Sequence, residues 1–261
     1  MTGDAVGLLS GRRILVTRRR EQSVSLSEPL RALGATVLEL PLIEIRPPLD
    51  WGPLDGALAR LSEYHWLVLT STNAVAAVAE RRTSLGLAGP LPKLAVVGPA
   101  TRQALVSAFA GRQPDLEPAR SHRAEGLLDA FAAWDISGRR FLLPSSDQAR
   151  DTLPAGLGRR GALVDVVIAY RTVQPEGSQE RLRDLRAQGL DLVVLASPSA
   201  VEGFVLAAGA AAVGTRAAVI GPVTEVAARK AGFDVVVVAD PSTAAGLVAA
   251  ILSSGWAHSA P

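Results

Sequence analysis

Two segments of the chain place small hydroxyl side chains between an apolar run and a helical pattern. Ser71 follows the run Leu67–Thr70, and Ser197 follows the run Val193–Ala196. In a parallel α/β sheet, this order predicts a buried strand, a turn at its carboxyl end and the start of a crossover helix. Hydroxyl groups and unpaired helix-start amides at such turns bind anionic ligands. Each motif alone is more typical of an ordinary helix N-cap, but the same architecture occurs twice.

Candidate ligand-binding residues also lie at the predicted carboxyl ends of other strands. They are mostly hydroxyl residues and glycines, so neither a pair of carboxylates nor a Ser-His-Asp arrangement can be nominated. The sequence contains neither a glycine-rich dinucleotide loop nor a Walker loop. Two sheets with such ends predict a cleft that holds a polycarboxylate by amides and hydroxyls. The candidates are Thr17, Arg18, Ser71, Thr72, Asn73, Gly98, Thr101, Ser145, Ser197, Ser199, Gly221 and Thr224.

Composition restricts the class of protein. The chain has 261 residues, of which 48% are hydrophobic and 20% charged, and this suits one large or two modest folded domains. It has no cysteine, which excludes disulfides and thiolate metal sites and fits a cytoplasmic protein. Its three histidines are far apart, so no metal site is predicted. A net charge of +2 indicates no nucleic-acid partner, and neither a secretory leader nor a membrane span is predicted.

Strand and helix patterns alternate along the chain, which predicts parallel sheets with right-handed crossovers. Proline-flanked extended runs at 36–48 and 162–175 interrupt this alternation. Strands are predicted at 13–17, 65–70, 93–97, 140–143, 191–195, 217–220 and 234–238. Helices are predicted before Gly34 and at 53–62, 73–82, 100–109, 124–133, 147–159, 178–187, 199–208, 223–231 and 243–252.

The chain contains an internal repeat, which predicts two similar α/β units. Four matches occur in the same order, and their shifts shrink only where loops could have shortened. The matches are Gly11 with Gly138 (138 − 11 = 127), Ser71 with Ser197 (197 − 71 = 126), Gly98 with Gly221 (221 − 98 = 123) and Ser121 with Ser242 (242 − 121 = 121).

Six of these short motifs, taken together, resemble the uroporphyrinogen-III synthase family. The resemblance covers about residues 12 to 252. Each motif is weakly specific, but the order and spacing of the motifs are jointly specific. The chain departs from the family at Arg19, where a proline usually follows the first-strand arginine. The motifs are Leu15–Arg18, Leu69–Val75, Val96–Thr101, Ala169–Thr172, Ser197–Val201 and Ile220–Thr224.

The resemblance implies an α/β fold with two flavodoxin-like parallel-sheet domains joined by a two-stranded β ribbon. The chain would cross from one domain to the other and return, so that the first domain is discontinuous. The sequence alone does not distinguish this exchange from two consecutive domains. The implied bounds are 1–38 with 174–261 for domain one, 39–48 and 162–173 for the ribbon, and 49–161 for domain two.

The resemblance also implies a reaction, the cyclisation of the linear tetrapyrrole hydroxymethylbilane to uroporphyrinogen III. Water is lost and the last pyrrole ring is inverted, without a metal or organic cofactor. Tyr170, which matches the family's tyrosine, is the implied catalytic residue, because a phenol can assist departure of the hydroxyl group. The expected protein is a cytoplasmic monomer that receives its substrate from the upstream enzyme.

Two other functions remain open at this point. One is a non-catalytic two-domain sensor that binds a tetrapyrrole or a small anion. The other is a transferase that uses a nucleotide-activated donor, which the missing phosphate loop disfavours.

Overall fold

Ten strands alternate with eleven α-helices along residues 7–18, 20–119 and 123–258, which the computed structural model describes. The strands are β1 (Arg13–Val16), β2 (Thr36–Glu39), β3 (Glu44–Arg46), β4 (Trp66–Leu69), β5 (Lys93–Val96), β6 (Arg140–Ser146), β7 (Leu163–Val173), β8 (Leu192–Leu195), β9 (Arg216–Val219) and β10 (Asp234–Val238). The helices are α1 (Arg20–Ala32), α2 (Gly52–Ala59), α3 (Thr72–Ser84), α4 (Pro99–Ala108), α5 (Ala124–Ala130), α6 (Thr152–Arg159), α7 (Ser178–Ala187), α8 (Pro198–Ala208), α9 (Pro222–Lys230), α10 (Ala244–Ser253) and α11 (Gly255–His258).

The chain divides into two compact units, each with one five-stranded sheet. The first unit comprises Met1–Glu44 and Val173–Pro261, and the second comprises Ile45–Thr172. The predicted α/β fold with two parallel-sheet domains is confirmed. The domain and ribbon bounds given above stay a prediction.

The first unit is a doubly wound sheet with strand order β10-β9-β8-β1-β2. Its pairings are all parallel. Side chains of β8 alternate between the two faces, as Leu192 and Val194 join one apolar core and Val193 and Leu195 join the other. Helices α1 and α10 cover the first face, and α7, α8 and α9 cover the second. A strand buried on both faces is therefore apolar throughout.

The second unit has strand order β3-β7-β6-β4-β5. Its pairings β4–β5, β4–β6 and β6–β7 are parallel. Leu67 and Leu69 of β4 face a core closed by α2, α3 and α4, whereas Trp66 and Val68 face a core closed by α5 and α6. The carboxyl end of β4 therefore lies between two helical layers, at the edge of the sheet where the parallel strands end.

The two sheets repeat one strand order, which explains the internal repeat of the sequence. The order β2-β1-β8-β9 in the first unit corresponds to β7-β6-β4-β5 in the second. Each half of the repeat contributes a β-α-β segment to one unit and its remaining strands to the other. Ser121, one of the matched positions, lies outside the described residues, as does Arg19.

The structure differs from the sequence-based prediction after β6. The sequence predicts a strand over 140–143 and a helix over 147–159, but β6 continues to Ser146 and α6 begins at Thr152. The strand is longer because its ladder with β7 continues to the pair Ser146 and Tyr170. Pro144 is tolerated there because the pairing of β4 with β6 ends at Leu142.

The two segments predicted as a connecting ribbon contain β3 and β7. These strands are neighbours in the second sheet, and β7 also pairs with β6 from Leu163 to Tyr170. The structure therefore places both strands in the sheet of the second unit.

Candidate active site

Ser71 links the carboxyl end of β4 to the start of α3. Its backbone is extended (φ −154°, ψ 157°), and its Oγ accepts a hydrogen bond from the Ala74 amide at 3.0 Å. This is the geometry of an N-cap, which satisfies one of the amides that the first helical turn leaves unpaired. The cap fixes the position of the Ser71 hydroxyl at the edge of the sheet.

Tyr170 on β7 is hydrogen-bonded to that same hydroxyl. Its phenol oxygen lies 3.0 Å from Ser71 Oγ, and either hydroxyl can donate. Since β6 lies between β4 and β7, the side chain of Tyr170 extends across the end of one strand to reach Ser71. The ring packs against the core that contains Leu69 and Ala169, and the residue is half-buried. A phenol with this placement can donate a proton or a hydrogen bond to a ligand.

Ser197 has the corresponding place in the first unit, between β8 and α8. Its backbone is also extended (φ −167°, ψ 160°), and its Oγ accepts from the Ala200 amide at 3.1 Å. Within the described part of the chain, its hydroxyl has no second hydrogen-bond partner. The corresponding stretch of the first unit is aliphatic, since Leu42 and Ile43 stand 128 and 127 residues before Tyr170 (170 − 42 = 128 and 170 − 43 = 127).

The next strand end in each sheet carries a glycine followed by a buried threonine. Gly98 and Gly221 are the N-caps of α4 and α9, and Thr101 and Thr224 lie in the first turns with 4% and 2% exposure. A Cβ atom on Gly221 would overlap Ser242 Oγ. The glycine is therefore required by a close approach of the next loop.

The other predicted residues divide into buried and exposed ones. Thr17 is fully buried, and its hydroxyl donates to the Val194 carbonyl at 3.0 Å, so it bonds two strands of the first sheet. Ser145 is 5% exposed, and its Oγ has no hydrogen-bond partner among the described residues. Thr72 and Ser199 are exposed in first helical turns, and Asn73 is partly exposed. The structure thus brings Ser71 and Tyr170 into direct contact and leaves the ligand roles of the rest as predictions.

Burial lowers the pKa of the Arg18 guanidinium, which follows β1. The pKa moves downwards because the charged form loses solvation when it is taken out of water. Arg18 is therefore a partly desolvated cation at the edge of the first sheet, and a bound anion would stabilise its charge.

Residues 7–18, 20–119 and 123–258 contain neither a metal-binding cluster nor a membrane-spanning helix. This part of the chain holds no group of three or more His, Cys, Asp or Glu that could bind a metal ion. Nor does it hold a helix long and apolar enough to cross a membrane.

Comparison with known proteins identifies the family. The model of the family described as uroporphyrinogen-III synthase HemD matches residues 24–249. A uroporphyrinogen-III synthase from Synechococcus elongatus is 36% identical over 200 residues, which are 75% of this chain and 74% of the relative. The chain belongs to the uroporphyrinogen-III synthase family.

Solved structures of uroporphyrinogen III synthases share the fold. The chain is similar to a mutant enzyme from Thermus thermophilus with a TM-score of 0.72 at 19% identity, covering 92% of this chain and 96% of the other. It is similar to the enzyme from Helicobacter pylori with a TM-score of 0.52 at 14% identity, covering 93% and 99%. At these identities, the likeness shows the two-domain α/β fold.

Membership of the uroporphyrinogen-III synthase family makes this chain a cyclising lyase of tetrapyrrole biosynthesis that acts on a linear tetrapyrrole. The predicted family and enzyme class are confirmed, and the sensor and transferase alternatives lose their support. Sequence reasoning missed two residues next to Tyr170, Asp147 and Gln148. They lie in a segment that the sequence predicts as helix, although the run of Ser145, Ser146 and Asp147 is typical of a strand end.

The chain has a second tyrosine with a different partner. Tyr64 is 5% exposed, and its hydroxyl donates to Asp165 Oδ2 at 2.6 Å. Burial, and then this hydrogen bond, raise the pKa of Tyr64 to about 12. Its proton is held by a carboxylate, whereas the phenol of Tyr170 meets a neutral serine.

Proposed function

We propose that this chain cyclises hydroxymethylbilane to uroporphyrinogen III and that Tyr170 assists departure of the hydroxyl group. The observation that supports this role is the 3.0 Å hydrogen bond between the hydroxyls of Tyr170 and Ser71. A phenol fixed at the carboxyl edge of a parallel sheet lies where α/β proteins bind their ligands.

The hydrogen bonds of Ser71 favour the serine as the donor in its bond to Tyr170. Ser71 Oγ accepts from the Ala74 amide, and a serine hydroxyl still has one proton to donate. In our proposal Ser71 donates that proton to the phenol oxygen, and the O–H of Tyr170 is then left for the substrate. The start of α3 also stabilises negative charge that develops on the phenol oxygen.

The chemistry then balances as the loss of one water. The bond between the hydroxymethyl carbon and its oxygen breaks, and the leaving hydroxide takes the proton of Tyr170. The remaining azafulvenium cation is attacked by the substituted carbon of the terminal ring, which gives a spiro intermediate. The earlier bond from that carbon to its bridging methylene then breaks, and the methylene bonds to the free α-carbon of the same ring, which loses its proton. The proton released when the pyrrole rings regain aromaticity returns to the phenolate. Positioning of the chain can supply about 7–11 kcal/mol of such a barrier.

The acetate and propionate groups of the substrate require anion-binding positions. We propose the strand-end residues for this role, because hydroxyls and helix-start amides bind carboxylates. Ser71, Thr72, Asn73, Ser197 and Ser199 offer exposed or partly exposed groups. The further proposed positions are Thr17, Arg18, Gly98, Thr101, Ser145, Gly221 and Thr224.

Replacement of Tyr170 tests this proposal. Tyr170→Phe removes the proton donor and is expected to lower kcat about 100-fold, the scale of general-acid catalysis. Freshly made hydroxymethylbilane is supplied, and the type III isomer is separated from the type I isomer that forms spontaneously. Tyr64→Phe is the matched control, because Tyr64 bonds a carboxylate away from Ser71. A Tyr170→Phe enzyme as fast as the parent would remove Tyr170 from the mechanism.

The proposal also covers the association, location and domain organisation of the protein. The protein acts as a monomer in the cytoplasm, and its two domains follow the bounds implied by the family. It takes its substrate from the upstream enzyme, because free hydroxymethylbilane closes spontaneously to the type I isomer. Sedimentation of the pure protein, alone and with that enzyme, measures both associations.

A further inference from the structure

The ladder between β6 and β7 is irregular beside Tyr170. Ser145 pairs with Ile168, but the next residue, Ser146, pairs with Tyr170. One extra residue, Ala169, therefore stands in β7. This two-against-one pairing is a β-bulge, a feature that re-aims side chains next to active sites.

The bulge determines the face of the sheet on which Tyr170 lies. Side chains alternate along a regular strand, so successive residues point to opposite faces. Ala169 and Tyr170 nevertheless pack against the same core, together with Leu69 of β4. In a regular ladder, Ala169 would pair with Ser146, and the side chain of the next residue, Tyr170, would point to the opposite face and could not reach Ser71.

Two exposed residues, Asp147 and Gln148, hold the part of β7 that follows this bulge. The Asp147 amide donates to the Tyr170 carbonyl at 3.2 Å, and the Thr172 amide donates to Asp147 Oδ1 at 3.0 Å. Gln148 Nε2 donates to the Thr172 carbonyl at 2.8 Å. The Gln148 amide in turn donates to Ser146 Oγ at 3.0 Å. These bonds hold β7 in place beyond Ser146 and Tyr170, the last pair of the ladder.

In the first unit, the described part of the corresponding β1–β2 ladder has no such shift, and a one-residue register shift of this unit lies instead at Val236 of β10. Its ladder between β1 and β2 ends at the pair Val16 and Glu39. The residue 127 positions before Ile168 is Pro41 (168 − 127 = 41), which lacks an amide proton for a ladder. The longer ladder, the bulge and the two polar side chains therefore occur together with Tyr170 in one half of the repeat.

We propose that Asp147 and Gln148 are positioning residues that hold the β7 bulge so that the Tyr170 hydroxyl stays against Ser71. This inference rests on the proposed role of Tyr170. Asp147 and Gln148 do not themselves touch the reacting atoms in this proposal. They act through the tyrosine carbonyl and through the backbone of Thr172, two residues further along β7.

Asp147→Ala removes the acceptor for the Thr172 amide. A misplacement of about 1 Å can cost about 100-fold, and a partial loosening is expected to lower kcat about tenfold with KM changed less than about twofold. Asp147→Asn is expected to retain most of the activity, because its amide oxygen can still accept from Thr172. Gln148→Ala provides a second variant with the same expected direction. Both residues are exposed, so folding is expected to be preserved.

Asp135→Ala is the matched control. Asp135 Oδ1 also accepts a backbone amide, that of Ser137 at 3.2 Å, but before β6 begins rather than after it ends. Its loss is expected to leave kcat unchanged. A kcat that falls equally in Asp135→Ala and Asp147→Ala would overturn the proposal.

A double-mutant cycle with Tyr170→Phe separates positioning from other effects. Asp147→Ala is expected to lower kcat in the parent and to have no further effect on the Tyr170→Phe enzyme. If Tyr170→Phe is slow and Asp147→Ala is as fast as the parent, the positioning role is overturned and the role of Tyr170 stands. If Asp147→Ala is equally damaging in both backgrounds, it acts elsewhere and the inference is also overturned. If Tyr170→Phe is fully active, both proposals fail.

Discussion

The two strand-end serines have the same backbone role and different side-chain partners. Ser71 and Ser197 both cap the helix that follows a buried strand, with cap distances of 3.0 and 3.1 Å. Of the two, Ser71 alone is also bonded to a phenol, that of Tyr170, and the corresponding stretch of the other unit, Leu42 and Ile43, is aliphatic. The cap is thus the shared property of the repeat, whereas the tyrosine distinguishes one edge chemically. The positions proposed to bind anions occur at both edges, whereas the phenol lies at one of them.

Replacing each serine in turn tests this comparison most severely. Ser71→Ala is expected to lower kcat about 30-fold, ~2 kcal/mol, because a hydrogen bond to a charged phenolate is lost. Ser197→Ala is expected to raise KM about threefold with little change in kcat, because one hydrogen bond from a neutral hydroxyl to a substrate carboxylate is lost. Steady-state rates with fresh hydroxymethylbilane give both parameters.

Each serine variant also loses an N-cap, so stability must be measured alongside activity. A loss of about 1 kcal/mol in the free energy of unfolding is expected for both. Urea unfolding measures it. The comparison fails if both variants change the same kinetic parameter by the same factor.

A second comparison concerns the helices α5 and α10, which are related by the repeat. Thr243 Oγ1 caps α10 by accepting from the Gly246 amide at 3.0 Å, whereas Arg123 begins α5 without a side-chain cap. The two residues have similar extended backbones, with φ −128°, ψ 164° and φ −136°, ψ 173°. Arg123→Thr is therefore expected to raise the free energy of unfolding by about 1 kcal/mol. Thr243→Ala should lower it by a similar amount, and a neutral Arg123→Thr would show that the two helix starts differ.

The effect expected for Tyr64 is confined to alkaline pH. The pKa of folded Tyr64 is raised from 10.0 to about 12, so its stabilising contribution is complete below pH 10 and is lost as the pH rises towards 12. About 1 kcal/mol should be gone by pH 11. Between pH 10 and 12, the free energy of unfolding measured with urea should fall more steeply for the parent than for Tyr64→Phe. Parallel curves would contradict the assignment.

The elements of the fold could be predicted because their determinants are local. The apolar run of β8 and the serine before α8 lie within a few residues of each other, so the pattern indicates both. The pairing of strands could not be read in this way. β1 pairs with both β2 and β8, and the pair Ile14 and Leu192 is 178 residues apart (192 − 14 = 178). Only the family resemblance implied the exchange of segments between the units.

At the site, the same distinction separates the cap from its partner. Ser71 as an N-cap follows from residue type and position. Its bond to Tyr170 joins residues 99 positions apart and depends on a one-residue bulge. No local pattern encodes a register shift, because the pairing partner on β6 decides it. Asp147 and Gln148 were missed for the same reason.

The insertion of the second unit within the first has a consequence for biosynthesis. β1 emerges from the ribosome 178 residues before its neighbour β8 (192 − 14 = 178), a delay of about 10 to 35 seconds at typical elongation rates. During that interval all strands of the inserted unit become available, while Ile14 and Val16 still lack one flanking strand. The inserted unit can therefore complete its sheet before the first unit has all its strands, and β1 is the strand that waits longest for a neighbour.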